Sequence, residues 1–217
     1  PSVLSLSEAT ELGTVYTPAE VAALAALARE RGMHVHMDGA RFANALARLG
    51  GSAADLTWKS GVDVLSFGAT KNGAMGVEAV VFFETALATD FRYLRKRTGQ
   101  LVSKNRFLAA QMLAYLADDR WMRNARHANA MADRLAAGVA TWPGARLPLP
   151  VGANAVFAIV PRPLHDHLQA QGARYLVWPG DGPGTDTVGE DEVFIRLLTS
   201  FRTSAADVDA LVGAAAA

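Results

Sequence analysis

Two residues of opposite charge, Asp38 and Lys71, are the strongest candidates for chemistry in this chain. The aspartate ends a strand-like run at 34–38, and the lysine follows another at 62–67. At the carboxyl ends of parallel strands, a lysine amine can condense with an aldehyde, while a carboxylate keeps a pyridine nitrogen protonated so that the ring accepts electrons. The pair therefore predicts a pyridoxal phosphate site. The alternatives are a solvated loop lysine and an aspartate that only caps the next helix.

The elements that must position these two residues alternate between strand and helix. Strands are predicted at residues 3–6, 34–38, 62–67 and 78–83. The alanine-rich helix between the first two strands begins at Pro18, with Thr17 and Glu20 forming a capping box. Such alternation is typical of a mostly parallel sheet covered by helices, so the predicted fold class is α/β.

The second half of the chain changes character. Residues 86–140 are predicted to be mostly helical, and the proline-rich segment that follows marks a boundary. Strands and helices are predicted beyond it at residues 155–160, 163–171, 175–178, 193–198 and 205–217. We therefore expect two domains, a large one over residues 1–143 with long connecting helices and a small α/β domain over 144–217.

Composition limits the classes of protein to which the chain can belong. Hydrophobic residues make up 51% of the 217 residues and charged residues 19%, which favours a packed core over disorder. Lys plus Arg and Asp plus Glu both number 21, so neither nucleic acid nor a membrane is expected as a partner. No cysteine is present, which excludes a thiolate metal site, and no metal is expected. The lack of cysteine also leads us to expect a cytoplasmic location.

Three segments together resemble a known family. They are HVHMDGARFANAL at residues 34–46, DVLSFGATKNGAMGVEAVVFF at 63–83 and GQLVSKNRFLAAQMLAYL at 99–116. They resemble the low-specificity L-threonine aldolase family, most closely its phenylserine-aldolase-like bacterial branch. The D-G-A-R motif alone is weakly specific, but joined to S-F-x-x-T-K-N-G at this distance it is strongly specific. The resemblance implies a fold-type-I enzyme that depends on pyridoxal phosphate.

The resemblance also implies roles for residues of the large domain. Lys71 would hold the cofactor covalently, Asp38 would bind its pyridine nitrogen, and Arg41 would reach its 3'-oxygen. Thr70 would hydrogen-bond the phosphate or merely close its turn. Lys104 would extend across a dimer interface to the neighbouring cofactor phosphate, although an exposed helix charge, or Lys96 in its place, is an alternative.

Two further positions have open interpretations. Arg196 is polar within an otherwise apolar strand, so it needs an anionic partner. The resemblance assigns it the α-carboxylate of the substrate, and an ion pair with Asp191 or Glu192 is the alternative. His36 shares one face of its strand with Asp38. It is a candidate to orient that carboxylate, although a satisfied core histidine is the favoured interpretation.

The expected reaction is a retro-aldol cleavage of L-threonine, allo-threonine or phenylserine to glycine and an aldehyde. Other fold-type-I reactions, such as β-elimination or transamination, are the nearest alternatives, and a non-catalytic module that packs against a partner is another. By resemblance we expect a small amino-acid substrate and a homodimer or homotetramer. We also expect this chain to be the C-terminal piece of such an enzyme, with the missing N-terminal segment required to complete the site.

Overall fold

A computed structural model describes residues 1–179 and 187–215, and the chain divides into two compact units. Unit 1 comprises residues 1–10 and 15–124, and unit 2 comprises residues 11–14 and 125–217. Each unit has a hydrophobic core of its own. The division between the units, after residue 124, therefore falls earlier along the chain than the predicted domain boundary at 143. The boundary at 143 stays a prediction.

Unit 1 is built on a four-stranded sheet. Its strands, in spatial order, are β1 (Val3–Ser7), β2 (His34–Gly39), β3 (Val64–Gly68) and β4 (Glu78–Phe82). The first three are parallel, as the alternation of strand and helix predicts, and β4 runs antiparallel to β3. Side chains alternate between the two faces of a strand, so Met37 enters the core while His36 and Asp38 lie on the opposite face.

The helices of unit 1 lie between its first three strands and after β4. They are α1 (Pro18–Glu30), α2 (Phe42–Leu49), α3 (Ala53–Leu56), α4 (Phe91–Arg97) and α5 (Arg106–Leu116). The predicted capping box starts α1, because the Thr17 hydroxyl accepts the Glu20 N–H and the Glu20 carboxylate accepts the Thr17 N–H at 2.7 Å. Helix α6 (Arg120–Val139) contains the division between the units at residue 124.

Unit 2 is built on a three-stranded antiparallel sheet. Its strands are β5 (Ala155–Pro161), β6 (Leu176–Val177) and β7 (Glu192–Leu198), with β7 in the centre. Helices α7 (Arg162–Ala170) and α8 (Ala205–Ala214) complete the unit. Ile195 and Leu197 on one face of β7 pack with α6 and α8, while Phe194 on the other face packs with Phe157 and Trp178. The last two residues of the predicted final helix lie outside the described residues.

Two kinds of structure are absent from the described residues. None of their helices is both long enough and apolar enough to cross a membrane. Helix α6 has twenty residues, but it carries charges such as Arg123 and Asp133. These residues also bring together no group of three or more His, Asp or Glu side chains that could hold a metal ion.

Candidate active site

Lys71 lies in a 3-10 turn, Thr70–Asn72, directly after β3. Its side chain is exposed, whereas Ala69, just before the turn, and Asn72 within it are buried. Within residues 1–179 and 187–215 the amine makes no hydrogen bond or ion pair. The backbone is therefore anchored in the core while the primary amine remains available for a reaction.

Two side chains from neighbouring elements hold the loop around Lys71. The Glu78 carboxylate accepts the N–H groups of Ala69 at 3.0 Å and of Thr70 at 3.3 Å. Gln111 of α5 accepts two more N–H groups with its amide oxygen, those of Met75 and Gly76. Backbone donors of a loop that would otherwise need water are thus satisfied by the protein, which stiffens the loop.

Asn72 fastens the turn from inside, and sequence reasoning assigned it no role. Its buried amide nitrogen donates to the Tyr115 hydroxyl at 2.7 Å and to the Trp121 carbonyl at 2.8 Å. The Asn124 amide nitrogen donates to the Asn72 carbonyl at 2.8 Å. Burial raises the pKa of Tyr115 to about 12, so its hydroxyl stays neutral. The only signal in the sequence was the position of this asparagine beside the lysine in T-K-N-G.

The Thr70 hydroxyl is used within its own loop. It accepts the Val77 N–H at 3.2 Å and lies 3.4 Å from the Val77 carbonyl. These contacts favour the interpretation that Thr70 closes the turn. Its role in binding a phosphate stays a prediction.

Asp38 lies near the end of β2, which is the strand beside β3. Its side chain is exposed, and its Oδ1 accepts the Ala40 N–H at 2.9 Å. The residue that precedes the first turn of α2 is Arg41, so Asp38 does not cap that helix. Because both strands are parallel, Asp38 and the loop of Lys71 are placed at the same edge of the sheet.

A glycine brings the two loops together. A Cβ atom on Gly68 would lie 2.7 Å from the Cα and the carbonyl oxygen of Ala40, which is closer than real Cβ atoms come to backbone. The chain that leaves β3 toward Lys71 therefore passes directly against the chain that leaves β2 after Asp38. Only glycine permits this approach.

His36 bonds along the sheet rather than toward Asp38. Its Nδ1 lies 2.8 Å from the Ser5 hydroxyl and its Nε2 lies 2.9 Å from the Ser66 hydroxyl. Three strands are thus linked by side chains on one face. Since both ring nitrogens are occupied by these serines, the favoured interpretation of a satisfied histidine agrees with the geometry.

A buried carboxyl group that sequence reasoning missed lies next to Asp38. Glu8 follows β1, is fully buried, and donates its backbone N–H to the Asp38 carbonyl at 2.7 Å. Its Oε2 accepts the Tyr16 N–H at 3.1 Å, and its Oε1 has no hydrogen-bond partner among the described residues. Burial raises the pKa of Glu8 to about 8, and the charge of Glu20 adds to this effect.

The other candidates of the large domain lie at element boundaries. Arg41 is half-buried at the start of α2. Lys104 is exposed in the turn before α5, and its competitor Lys96 is exposed in α4. The roles assigned to these residues by resemblance stay predictions.

Arg196 occupies the centre of the sheet of unit 2. Its guanidinium carbon lies 4.9 Å from the centre of the Trp178 ring and 5.7 Å from that of Phe157. The alternative of an ion pair with a nearby acid is wrong for Glu192, whose carboxylate binds Arg146 instead. Within the part of the chain that the structure describes, Arg196 forms no ion pair, and its Nε is buried without a hydrogen-bond partner.

The residues of unit 1 fit a cofactor that has an aldehyde and a pyridine ring. Lys71 offers a primary amine with no ion pair among the described residues, on a loop held by buried hydrogen bonds. Asp38 offers a carboxylate of which only one oxygen has a hydrogen bond among the described residues. An aldehyde requires the amine for covalent attachment, and a protonated pyridine nitrogen requires the carboxylate.

The chain is also similar in sequence to known proteins. Residues 1–162 match the sequence profile of the family described as Beta-eliminating lyase. A low specificity L-threonine aldolase of Pseudomonas aeruginosa is 52% identical over 182 residues, which are 84% of this chain and 53% of that protein. Another, of a Pseudomonas species, is 44% identical over 214 residues, which are 99% of this chain and 61% of that protein.

A solved structure adds a comparison of shape. A threonine aldolase of Leishmania major superposes with a TM-score of 0.88 at 28% identity, covering 100% of this chain and 60% of that one. The chain thus spans between half and two thirds of the length of the proteins that it resembles.

Proposed function

The chain belongs to the beta-eliminating lyase family, and on that basis we propose that it forms part of an aldehyde-lyase that uses pyridoxal phosphate. The proposed reaction cleaves L-threonine or a related L-β-hydroxy-α-amino acid to glycine and an aldehyde. The predicted resemblance to low-specificity L-threonine aldolases is confirmed by the two Pseudomonas relatives. The predicted α/β fold of fold-type-I enzymes is confirmed by the threonine aldolase structure.

One observation carries this proposal above the others. The amine of Lys71 is exposed on a loop whose backbone N–H groups donate to Glu78 and Gln111 and whose Asn72 side chain donates to Tyr115. The same loop passes against the segment that follows Asp38. A reactive amine on a rigid support beside a carboxylate is the arrangement that covalent attachment of this cofactor requires.

Each proposed role follows from the chemistry of the side chain. When bound, pyridoxal phosphate supplies an aldehyde and a ring that accepts the electron pair of a breaking bond. Lys71 would hold the aldehyde carbon through Nζ, and Asp38 would keep the ring nitrogen protonated. Arg41 would bind the 3'-oxygen, and Thr70 and Lys104 would bind phosphate oxygens.

Arg196 would bind the substrate. A planar guanidinium matches a carboxylate with two parallel hydrogen bonds, so Arg196 is suited to the α-carboxylate of an amino acid. Its lack of an ion pair among the described residues supports this role, because a half-buried guanidinium without an anion is poorly compensated. β-Elimination and transamination would use the same three groups, Asp38, Lys71 and Arg196.

We further propose that the protein is a homodimer or homotetramer and that it works in the cytoplasm. Large apolar side chains on α5 support an interface, since Phe107 is 57% exposed and Leu113 is 72% exposed. Sedimentation of the purified protein tests the assembly. The absence of cysteine agrees with a reducing compartment.

The first experiment treats the purified protein that contains this chain with borohydride after addition of pyridoxal phosphate. We expect a visible absorbance band before reduction and a cofactor adduct on Lys71 in the peptide map afterwards. Lys71→Ala should lose both and should reduce turnover by several orders of magnitude, while the exposed Lys59→Ala should keep both. An adduct on another lysine, with Lys71 unmodified, would contradict the assignment.

The second experiment identifies the reaction. Incubation with L-threonine should release glycine and acetaldehyde in equal amounts and no ammonia. Release of ammonia would indicate elimination, and consumption of a keto acid would indicate transamination. Either result without glycine would overturn the proposed aldol cleavage while leaving the cofactor site intact.

A further inference from the structure

We propose that Trp178 is a positioning residue, which holds the guanidinium of Arg196 in the orientation that binds a carboxylate. The inference deepens the proposed function and rests on it, because it takes Arg196 as the group that receives the α-carboxylate. It concerns contacts within unit 2 alone. No contact with the substrate is assigned to Trp178 itself.

The guanidinium is held by aromatic rings rather than by an acid. Its carbon lies 4.9 Å from the centre of the Trp178 ring and 5.7 Å from that of Phe157. Both distances are within the range of cation–π attraction. Phe157 lies beside Arg196 on the adjacent strand, since the two residues are register partners on β5 and β7.

The tryptophan is itself fixed in place. Its backbone N–H donates to the Phe194 carbonyl at 2.8 Å, which ties it to the central strand. Its ring meets that of Phe157 edge to face, with centres 5.4 Å apart and an angle of 86° between the planes. Phe157 is in turn buried against Phe194. The indole is therefore a rigid surface for the guanidinium.

Such support leaves the terminal nitrogens for a ligand. The Nε of Arg196 is buried and has no hydrogen-bond partner among the described residues, so the contacts with the rings, and not a hydrogen bond to Nε, hold the group. A carboxylate would occupy a fork that is already oriented, and fewer rotamers would be lost on binding. Acid partners would compete with the ligand, whereas aromatic rings do not.

The test compares two small ligands that differ in the carboxylate. Glycine carries one, and ethanolamine has a hydroxymethyl group in its place; neither can be cleaved as a β-hydroxy amino acid. Binding of both to the cofactor-loaded protein is measured by calorimetry. Trp178→Leu should weaken glycine binding about 3- to 30-fold and leave ethanolamine binding within twofold. Trp178→Phe, which keeps a ring, should recover part of the loss.

The control and a second readout separate position from stability. Trp58→Leu removes another tryptophan that has a cation beside it, since the Lys59 amine lies 5.9 Å from the centre of the Trp58 ring. This control should leave the binding of glycine and of ethanolamine unchanged. In the ligand-free protein, the Arg196 Nε–H resonance, assigned by its loss in Arg196→Lys, should carry a ring-current shift from the indole. Trp178→Leu should move it toward the position of exposed arginines.

Failure of this inference differs from failure of the proposed function. If Arg196→Lys removes the preference for glycine but Trp178→Leu and Trp178→Phe leave it unchanged, the positioning role is overturned and the function stands. If the unaltered protein binds ethanolamine and glycine equally tightly, the proposed carboxylate role of Arg196 fails, and the positioning role of Trp178 fails with it. An Arg196 resonance that Trp178→Leu does not move would also overturn the positioning role.

Discussion

At the scale of single residues, Asp38 and Glu8 are neighbours with opposite environments. The Asp38 carboxylate is exposed, whereas Glu8 is fully buried and bonded through its backbone to Asp38. Burial favours the neutral form of a carboxyl group. Glu8 is therefore a neutral hydrogen-bond partner next to the exposed Asp38 side chain.

Asp38→Asn tests the charged carboxylate. The amide has the same shape but cannot hold a ring nitrogen protonated, so we expect weaker binding of pyridoxal phosphate and a large loss of turnover. The measurements are a fluorescence titration of the cofactor and an assay of threonine cleavage. Asp90→Asn, at another exposed aspartate, should behave as the unaltered protein does. Unchanged turnover in Asp38→Asn would mean that the ring nitrogen has a different partner.

Glu8 predicts a dependence of stability on pH. Its pKa rises from 4.5 to about 8 on folding, so between these values the native state holds a proton that the unfolded chain has released. The free energy of unfolding should thus decrease as the pH rises from 4.5 to about 8, by an amount on the order of a few kcal/mol.

Urea unfolding at several pH values measures this dependence. Glu8→Gln should remove most of the decrease, because its amide is neutral throughout and its oxygen can still accept the Tyr16 N–H. Glu30→Gln at an exposed site is the matched control. A decrease that persists unchanged in Glu8→Gln would show that another group titrates.

At the scale of elements, the close contact between the loops after β2 and β3 brings the segments of Asp38 and Lys71 together. Gly68→Ala would place a methyl group 2.7 Å from the backbone of Ala40, and neither partner is a flexible side chain. We expect the two loops to move apart, with weaker cofactor binding and a loss of stability of about 1–3 kcal/mol.

A matched glycine shows whether the close contact is the cause. Gly76 lies in the same loop region, and a Cβ atom there would have no neighbour within 4 Å. Gly76→Ala should therefore leave cofactor binding and unfolding nearly unchanged. Equal effects of the two substitutions would mean that loop flexibility, and not the approach to Ala40, explains the result.

At the scale of the whole molecule, each unit is stabilised by its own core and its own polar links. In unit 2, Arg146 binds the Glu192 carboxylate, and Glu192 also accepts the Gly189 N–H at 2.7 Å. These hydrogen bonds, with that from Arg146 as the largest cause, lower the pKa of Glu192 to about 2. The link therefore connects the strand β7 to the segment that precedes β5.

Arg146→Met tests this link through its dependence on pH. A lowered carboxyl pKa contributes stability above the unfolded value of 4.5, which is lost as the pH falls toward 2. The substitution should thus destabilise unit 2 at neutral pH and have little effect near pH 2. Hydrogen exchange of the β5 and β7 amides reports the change, and Arg120→Met is the control. Equal destabilisation at both pH values would assign the effect to packing.

Much of the fold was predictable because its signals are local. Apolar residues alternate with polar ones in β2, β3 is mostly apolar, and α1 begins where Thr17, Pro18 and Glu20 predict. Periodicity and capping depend on residues only a few positions apart. For the same reason the placement of Asp38 near the end of one strand and of Lys71 after another could be predicted.

By itself, the sequence determined the α/β order and the family to which the chain belongs, and it predicted Asp38 and Lys71 as the candidate pair. Only the tertiary structure decided which groups support them. Asn72 forms a hydrogen bond with Tyr115, which is 43 positions away, and His36 forms one with Ser5, which is 31 positions away. Glu8 becomes neutral because burial removes its water, and Arg196 lies against Trp178 rather than an acid. Such partners are set by how distant segments pack, and no local pattern records that packing.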